Sequence, residues 1–248
     1  MGVPTIGCDC AVCHSTDPKD RRTRPSVMIE WGEHRIVIDS GPDFREQAVR
    51  ECIKRLDAVL YTHGHADHIL GLDDLRPLTY PWVTGGEKLP LYARAETANV
   101  LRSVFKYVFD DNYKYGGLAQ VELNEISDPF DLLDLHVVPV PVMHGDAEII
   151  GYRLGRFAYL TDFSVIPESS FALLDGVDVV FLDALRHHPH PTHSTVENSI
   201  NIARRIGANQ TYFTHISHDL AHEATNKTLP DGIRLSYDGL RIEIELGS

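Results

Sequence analysis

Three imidazoles and a carboxylate crowd into six consecutive residues, His63-Gly64-His65-Ala66-Asp67-His68, and no other feature narrows the choices for this chain as sharply. Donors this dense suit zinc or a similar divalent ion, and the carboxylate adds negative charge that helps hold a second cation. Alternate residues such as His63 and His65 can converge from an extended turn on one ion, while Asp67 and His68, further round, can serve another. The apolar run Ala58–Tyr61 just before them reads as a short buried strand, so the cluster is expected on a loop at a strand end. A solvated loop that is histidine-rich by chance is the bland alternative; the strand before it and the helix-like segment after it argue against that.

The segments around the cluster are short. Strands are expected at Ser26–Trp31 and Arg35–Asp39, joined across Gly32-Glu33-His34 as a hairpin. They are expected again at Ala119–Leu123, Leu132–Val142, Ile149–Leu154, Phe157–Thr161, Val177–Leu182, Thr211–Thr214, Ile233–Ser236 and Leu240–Glu245. The spacing of Phe44, Ala48, Val49, Cys52 and Leu56 predicts one helix over 43–56, with Cys52 as buried filler. Glu96–Phe109, Pro167–Leu174 and Ser194–Ile206 read as further helices. Runs of strands with helices interspersed favour two sheets flanked by helices over a doubly wound parallel sheet. The 248 residues read as a single domain, 1–248, in which 1–24 is a cysteine-rich segment with no usable period. The closing Gly247-Ser248 is given no structural weight.

Cys8, Cys10 and Cys13 fall within six residues, too close for a useful disulfide framework and better suited to a metal, unless they are simply reduced loop thiols. With 36 acids against 23 bases the net charge is −13, which counts against a large nucleic-acid partner. It does not exclude a small anion, because bound metal ions reverse the local sign of charge. No run of eighteen apolar residues and no leader pattern occurs, so neither a membrane span nor a secretory signal is expected, and a cytoplasmic location is the default.

His193 precedes Ser194-Thr195-Val196-Glu197, a capping-box pattern that places it at a helix N-terminus. Free N–H groups and the positive end of the macrodipole there suit an anionic phosphate beside a catalytic imidazole. The competing reading is a surface histidine continuing the polar run His187-His188-Pro189-His190. Asp183, at a strand end, suits a carboxylate that orients a ligand histidine.

The string from His63 to His68 resembles the His-x-His-x-Asp-His signature of the metallo-β-lactamase superfamily. That resemblance implies an α+β fold, an αβ/βα four-layer sandwich of two mixed β-sheets flanked by helices, with metals at one sheet edge. It also implies further ligands in order: His144 after Val140-Pro141-Val142, Asp162 in Tyr159-Leu160-Thr161-Asp162, and His215 in Phe213-Thr214-His215. Each alone would read as a loop histidine or a strand-end cap. On this mapping His63, His65 and His144 hold one metal, Asp67, His68 and His215 the second, and Asp162 joins the two. Two such ions, zinc or manganese, would turn a bridging water into the attacking hydroxide, with Asp67 among the catalytic groups and His193 protonating the leaving oxygen.

Gly2-Val3-Pro4 and Cys8-Asp9-Cys10-Ala11-Val12-Cys13 resemble the opening of the PhnP-like branch, the phosphoribosyl cyclic phosphate phosphodiesterases. In that branch these cysteines and a distant histidine hold a structural zinc, and the matching histidine here is His218, with His14 a weaker competitor. Branch members usually open with a β-strand and a Gly-Thr-Gly-rich turn ahead of this segment; Met1 stands there instead, so one sheet is expected to be a strand short. The branch implies a small phosphodiester, such as a cyclic ribose phosphate, as substrate; the acidic balance and the lack of a long apolar run speak against nucleic-acid and membrane partners, and a homodimer stays open. A tRNA 3′-processing endonuclease shares the seven ligands, but the acidic balance and the lack of a long basic insertion argue against it. Glyoxalase II-like thioester hydrolysis and a non-catalytic metal-binding protein are further alternatives, and no feature recommends either.

Overall fold

Ala58, Val59 and Leu60 are buried at every position, as a strand covered on both faces must be. In the computed structural model, which describes residues 2–110, 112–113 and 116–245, this strand is the middle one of a five-stranded sheet. The sheet runs β1 (Val27–Trp31), β2 (His34–Ile38), β3 (Ala58–Leu60), β4 (Leu89–Ala93) and β5 (Val121–Glu125), in that spatial order. Only β1 and β2 are antiparallel, a hairpin closed by Gly32-Glu33, and the other pairs are parallel. Helices α1 (Phe44–Arg50), α2 (Ala66–Ile69), α3 (Pro81–Thr84) and α4 (Ala95–Val104) connect the strands, and Val59, Leu91, Ala98 and Leu101 belong to one apolar core. Arg24–Ser127, which contains this sheet, is one compact unit.

The second unit, Met1–Thr23 with Asp128–Ser248, carries a seven-stranded mixed sheet. Its strands are β6 (Phe130–Leu132), β7 (Leu135–His144), β8 (Ala147–Leu154), β9 (Phe157–Leu160), β10 (Val179–Asp183), β11 (Gln210–Thr214) and β12 (Ile233–Leu235), adjacent in chain order. From β6 to β9 neighbours are antiparallel, and from β9 to β12 they are parallel, so the C-terminal ends of β9, β10 and β11 lie side by side. Helices α5 (Glu168–Phe171), α6 (Val196–Ile206) and α7 (His222–Asn226) complete the unit. Its core includes Val140, Leu160, Val180, Leu182 and Phe213. No helix among the described residues is long and apolar enough to cross a membrane.

Several expectations are corrected. The helix over 43–56 ends at Arg50, because Cys52 takes a left-handed backbone (φ 54°) and is exposed, not buried filler. The Cys52 N–H bonds to the Val49 carbonyl and the Ile53 N–H to the Ala48 carbonyl, a Schellman termination with cysteine where glycine is usual. The run Leu132–Val142 is a hairpin, with Leu133 at φ 58° turning β6 into β7. Residues 240–245 pair with no strand among those described; Ile242 and Ile244 alternate in burial with exposed charges, which needs one packed face but no neighbouring edge. Strand β4 was hidden by Pro90, which lacks the N–H a central strand normally supplies. Gly247-Ser248 lie outside the described residues.

Candidate metal centres

In the Arg24–Ser127 unit, strand β3 delivers Tyr61 and Thr62 to a loop that runs through His63 and His65 into α2, which carries Asp67 and His68. Asp39 follows β2 with a left-handed backbone (φ 63°), one of the few non-glycine residues that adopt it. Its carboxylate is fully buried and accepts the Thr62 N–H at 2.8 Å, the Thr62 hydroxyl at 2.8 Å and Nδ1 of His68 at 2.7 Å. Since the one hydroxyl hydrogen of Thr62 goes to Asp39, Oγ1 can only accept from Nδ1 of His63, 3.0 Å away. Both imidazoles therefore carry their hydrogen on Nδ1 and a lone pair on Nε2, the form that binds a cation.

The ring of His63 lies 4.6 Å from that of His65 and 4.2 Å from that of His68, centroid to centroid. His63 and His68 are buried, Asp67 is half-buried and His65 is exposed, so the cluster opens on the His65 side. The turn before α1 must pass close: a Cβ on Gly41 would sit 2.1 Å from the Asp67 carbonyl oxygen. Only glycine fits there.

In the other unit the aligned strand ends gather Asp162 after β9, Asp183 at the end of β10, His215 after β11 and His144 at the end of β7. Asp162 and His215 have left-handed backbones, φ 56° and 53°. His215 Nε2 lies 3.3 Å from Asp162 Oδ2, and Thr161 donates its hydroxyl to the other Asp162 oxygen. Nδ1 of His144 donates to the Thr192 carbonyl at 2.8 Å, an acceptor only, which again leaves the lone pair on Nε2. Burial pushes His144 below the usual imidazole range, opposed by Asp162 and reinforced by His193, which keeps the ring neutral.

His193 stands at the centre of this group. Its ring stacks on His215 at 4.6 Å and meets His144 edge-on at 4.8 Å; Nδ1 is 2.7 Å from Asp183 Oδ2 and 4.0 Å from Asp162 Oδ2. The helix N-cap is Thr195, not Ser194, accepting the Asn198 N–H at 3.1 Å, so His193 lies two residues outside the cap. Asp183 holds His193 rather than one of the sequence-mapped ligands. Burial pushes its carboxyl upward and His215 opposes this; a charged His193 ring at 2.7 Å favours the carboxylate in the same way.

The three cysteines converge on Nδ1 of His218, at 3.1 Å from Cys8, 3.5 Å from Cys10 and 3.6 Å from Cys13. Ligand atoms about 2.2 Å from a tetrahedral centre lie about 3.6 Å apart, so these spacings fit a closed Cys₃His zinc site. The Cys13 N–H donated to Cys10 sulfur lowers that thiol to about 6, toward the thiolate that binds metal. His14 is exposed against Asp9 and stands apart from the group. The same segment is fastened a second way. Buried Arg22 pairs with Asp20 and donates to the carbonyls of Ser217 and Leu220, while Asp20 accepts the His222 N–H.

Asp39, Thr62 and Thr192 are the functional groups that sequence reasoning missed. The only signal for Asp39 was an aspartate at the end of an apolar strand.

Two mixed sheets with helices, and imidazoles and carboxylates gathered at strand ends in both, define a metal-dependent hydrolase of the metallo-β-lactamase fold. The family model for the β-lactamase superfamily domain matches residues 34–216. The chain belongs to that superfamily, and within it to the PhnP-like branch. A crystal structure of a new diphosphatase from the PhnP family is 58% identical, covering 99% of this chain and 94% of that one, with a TM-score of 0.93. Zinc-bound PqqB from Methylobacterium extorquens shares the fold at 22% identity, with a TM-score of 0.76 over 98% of this chain and 96% of that one. Octanoyltransferase of Porphyromonas gingivalis is 39% identical over 98% of this chain, which spans 49% of that protein's length.

Proposed function

We propose that this chain is a dinuclear metal-dependent phosphodiesterase acting on a small substrate, with a cyclic ribose phosphate or a disubstituted diphosphate as the candidate classes. The observation that carries this is the His193–Asp183 pair: an imidazole outside the seven mapped ligands, 4.0 Å from Asp162 and backed at 2.7 Å by a buried carboxylate. A proton given to the departing oxygen speeds cleavage of an ester or anhydride of phosphate, and this pair is placed to give one. The relative 58% identical to this chain is described as a diphosphatase. Breaking P–O–P is the same displacement at a phosphorus that carries two substituents.

On this proposal His63, His65 and His144 would hold one divalent cation and Asp67, His68 and His215 the other, with Asp162 available to both; zinc and manganese each suit the donors. Bound there, the two ions supply Lewis acidity that activates water and offsets charge on the phosphoryl oxygens. The chain does the rest. Asp39 acts directly on His68 and through Thr62 on His63, and the Thr192 carbonyl acts on His144, so that Nε2 of each is kept ready as a donor. Asp67 accepts a hydrogen from the attacking water. His193 gives its Nε2 proton to the leaving oxygen, and the Asp183 carboxylate stabilises the imidazolium that must exist first. Cys8, Cys10, Cys13 and His218 would hold a separate structural zinc. A net charge of −13 fits an enzyme for a small molecule better than one for nucleic acid, and the proposal keeps it in the cytoplasm.

Turnover of bis(p-nitrophenyl) phosphate by zinc- or manganese-loaded protein tests the proposal. Release of p-nitrophenol that is abolished by chelation, with no hydrolysis of lactoylglutathione and no cleavage of pre-tRNA by the same protein, is the expected result. Metal-loaded protein inert toward the diester but active on either of the others would overturn it.

A further inference from the structure

A third imidazole adjoins His193, besides those of His144 and His215. The ring of His190 lies 5.0 Å from that of His193, on a loop that leaves β10 and returns to α6. That loop is tied at its base and braced inside. Leu185 N–H bonds to the Ser194 carbonyl at 3.0 Å and Val196 N–H to the Arg186 carbonyl at 3.1 Å. Arg186 turns inward, donating Nε–H to the His188 carbonyl at 3.1 Å and Nη2–H to the Pro189 carbonyl at 2.9 Å. Thr192 packs where a Cβ on Gly145 would come within 3.0 Å of its methyl group.

The nitrogen of His190 that faces the chain is an acceptor. The Thr192 backbone N–H donates to its Nδ1 at 3.3 Å, and the Thr192 hydroxyl lies 3.2 Å from the same atom. An amide N–H can only donate, so Nδ1 carries the lone pair and the ring hydrogen is on Nε2. This is the opposite tautomer to that of His144, whose Nδ1 donates to the carbonyl of the same residue, Thr192. One residue thus sets two neighbouring imidazoles in complementary states: His144 offers a lone pair, as a cation requires, and His190 offers a hydrogen, as an anionic oxygen requires.

We infer that His190 is a substrate-binding donor whose Nε2–H binds an anionic oxygen on the leaving side of the scissile bond, and that the substrate's leaving group is itself a phosphate. This rests on the proposed role of His193, since the imidazole that protonates the leaving oxygen must lie beside the leaving group, and His190 is the next ring outward. A simple diester with a neutral leaving group has nothing for His190 to hold. A disubstituted diphosphate does.

Steady-state kinetics of zinc-loaded wild type, His190→Ala and His190→Gln would be measured on two probes. Bis(p-nitrophenyl) phosphate has no second phosphate on its leaving group; diadenosine diphosphate does. With His190→Ala, KM for diadenosine diphosphate rises about tenfold, as loss of one hydrogen bond to a charged group gives, while kcat stays within about twofold and both constants for the simple diester are unchanged. His190→Gln, which keeps an N–H donor, recovers part of the loss. Equal effects on both probes, no effect on either, or wild type that cleaves only the simple diester would overturn the inference and leave the phosphodiesterase proposal standing. Wild type that cleaves neither would take both down. Independently of activity, nitrogen-15 spectra of the zinc-loaded protein show His190 as the Nε2–H tautomer; an Nδ1–H ring would overturn the inference alone.

Discussion

Asp183 Oδ2 meets Nδ1 of His193 at 2.7 Å, with the carboxylate fully buried and the imidazole at the rim of the strand ends. A carboxylate in that position fixes which ring nitrogen faces outward and stabilises the charged ring. Asp183→Asn and His193→Ala should each lower kcat on a phosphodiester by about 10²–10⁴, with metal content unchanged. The double variant should be little worse than either single one, since the two act as a unit. Elemental analysis beside the kinetics checks this; loss of metal together with activity would make the pair ligands instead.

Asp39 should govern metal affinity without touching metal. Asp39→Asn removes the charge that fixes Nδ1–H on His68 and, through Thr62, on His63. Metal affinity should fall about 10–100-fold, read by competitive titration with a chromophoric chelator.

The N-terminal segment has two independent fastenings, and removing one should not release it. Whatever becomes of the cysteine cluster, Asp20 and Arg22 still grip Ser217, Leu220 and His222. Limited proteolysis should therefore spare the segment in the Cys8/Cys10/Cys13→Ser variant and cut it once Arg22→Met is added. Arg22→Met alone strands a buried carboxylate and should cost about 3–5 kcal/mol in denaturant unfolding.

Acid should weaken the same region. His222 is buried against the Tyr237 ring, and burial pushes it below the usual imidazole range, with Lys19 and Arg22 adding to the effect and Glu223 and Asp17 opposing it. The folded protein keeps this ring neutral, whereas the unfolded chain takes up a proton below about pH 6.5. Stability is therefore full above that value and declines as pH drops from it toward the lowered folded value. Denaturation midpoints between pH 8 and 5 should show the decline, and it should shrink in His222→Phe.

The metal loop was legible because its donors are consecutive, and the crowding of Cys8, Cys10 and Cys13 was legible for the same reason. Asp39 was not, because Thr62 and His68 lie 23 and 29 positions further along, and only strand pairing brings them to it. Cys52 misled because its spacing continues a helical stripe; what stops the helix is a backbone state that cysteine rarely adopts. Strand β4 was concealed by one proline, and the hairpin at Leu133 by an apolar residue in a turn.

Asp39, Asp162 and His215 each sit where the chain bends left-handed, at a cost of about 1–3 kcal/mol apiece. Evolution toward heat tolerance would favour asparagine or glycine at such bends, while turnover would forbid it. Efforts to harden this molecule will thus have to seek their gains elsewhere, since relaxing those three corners would yield a tougher and idle protein.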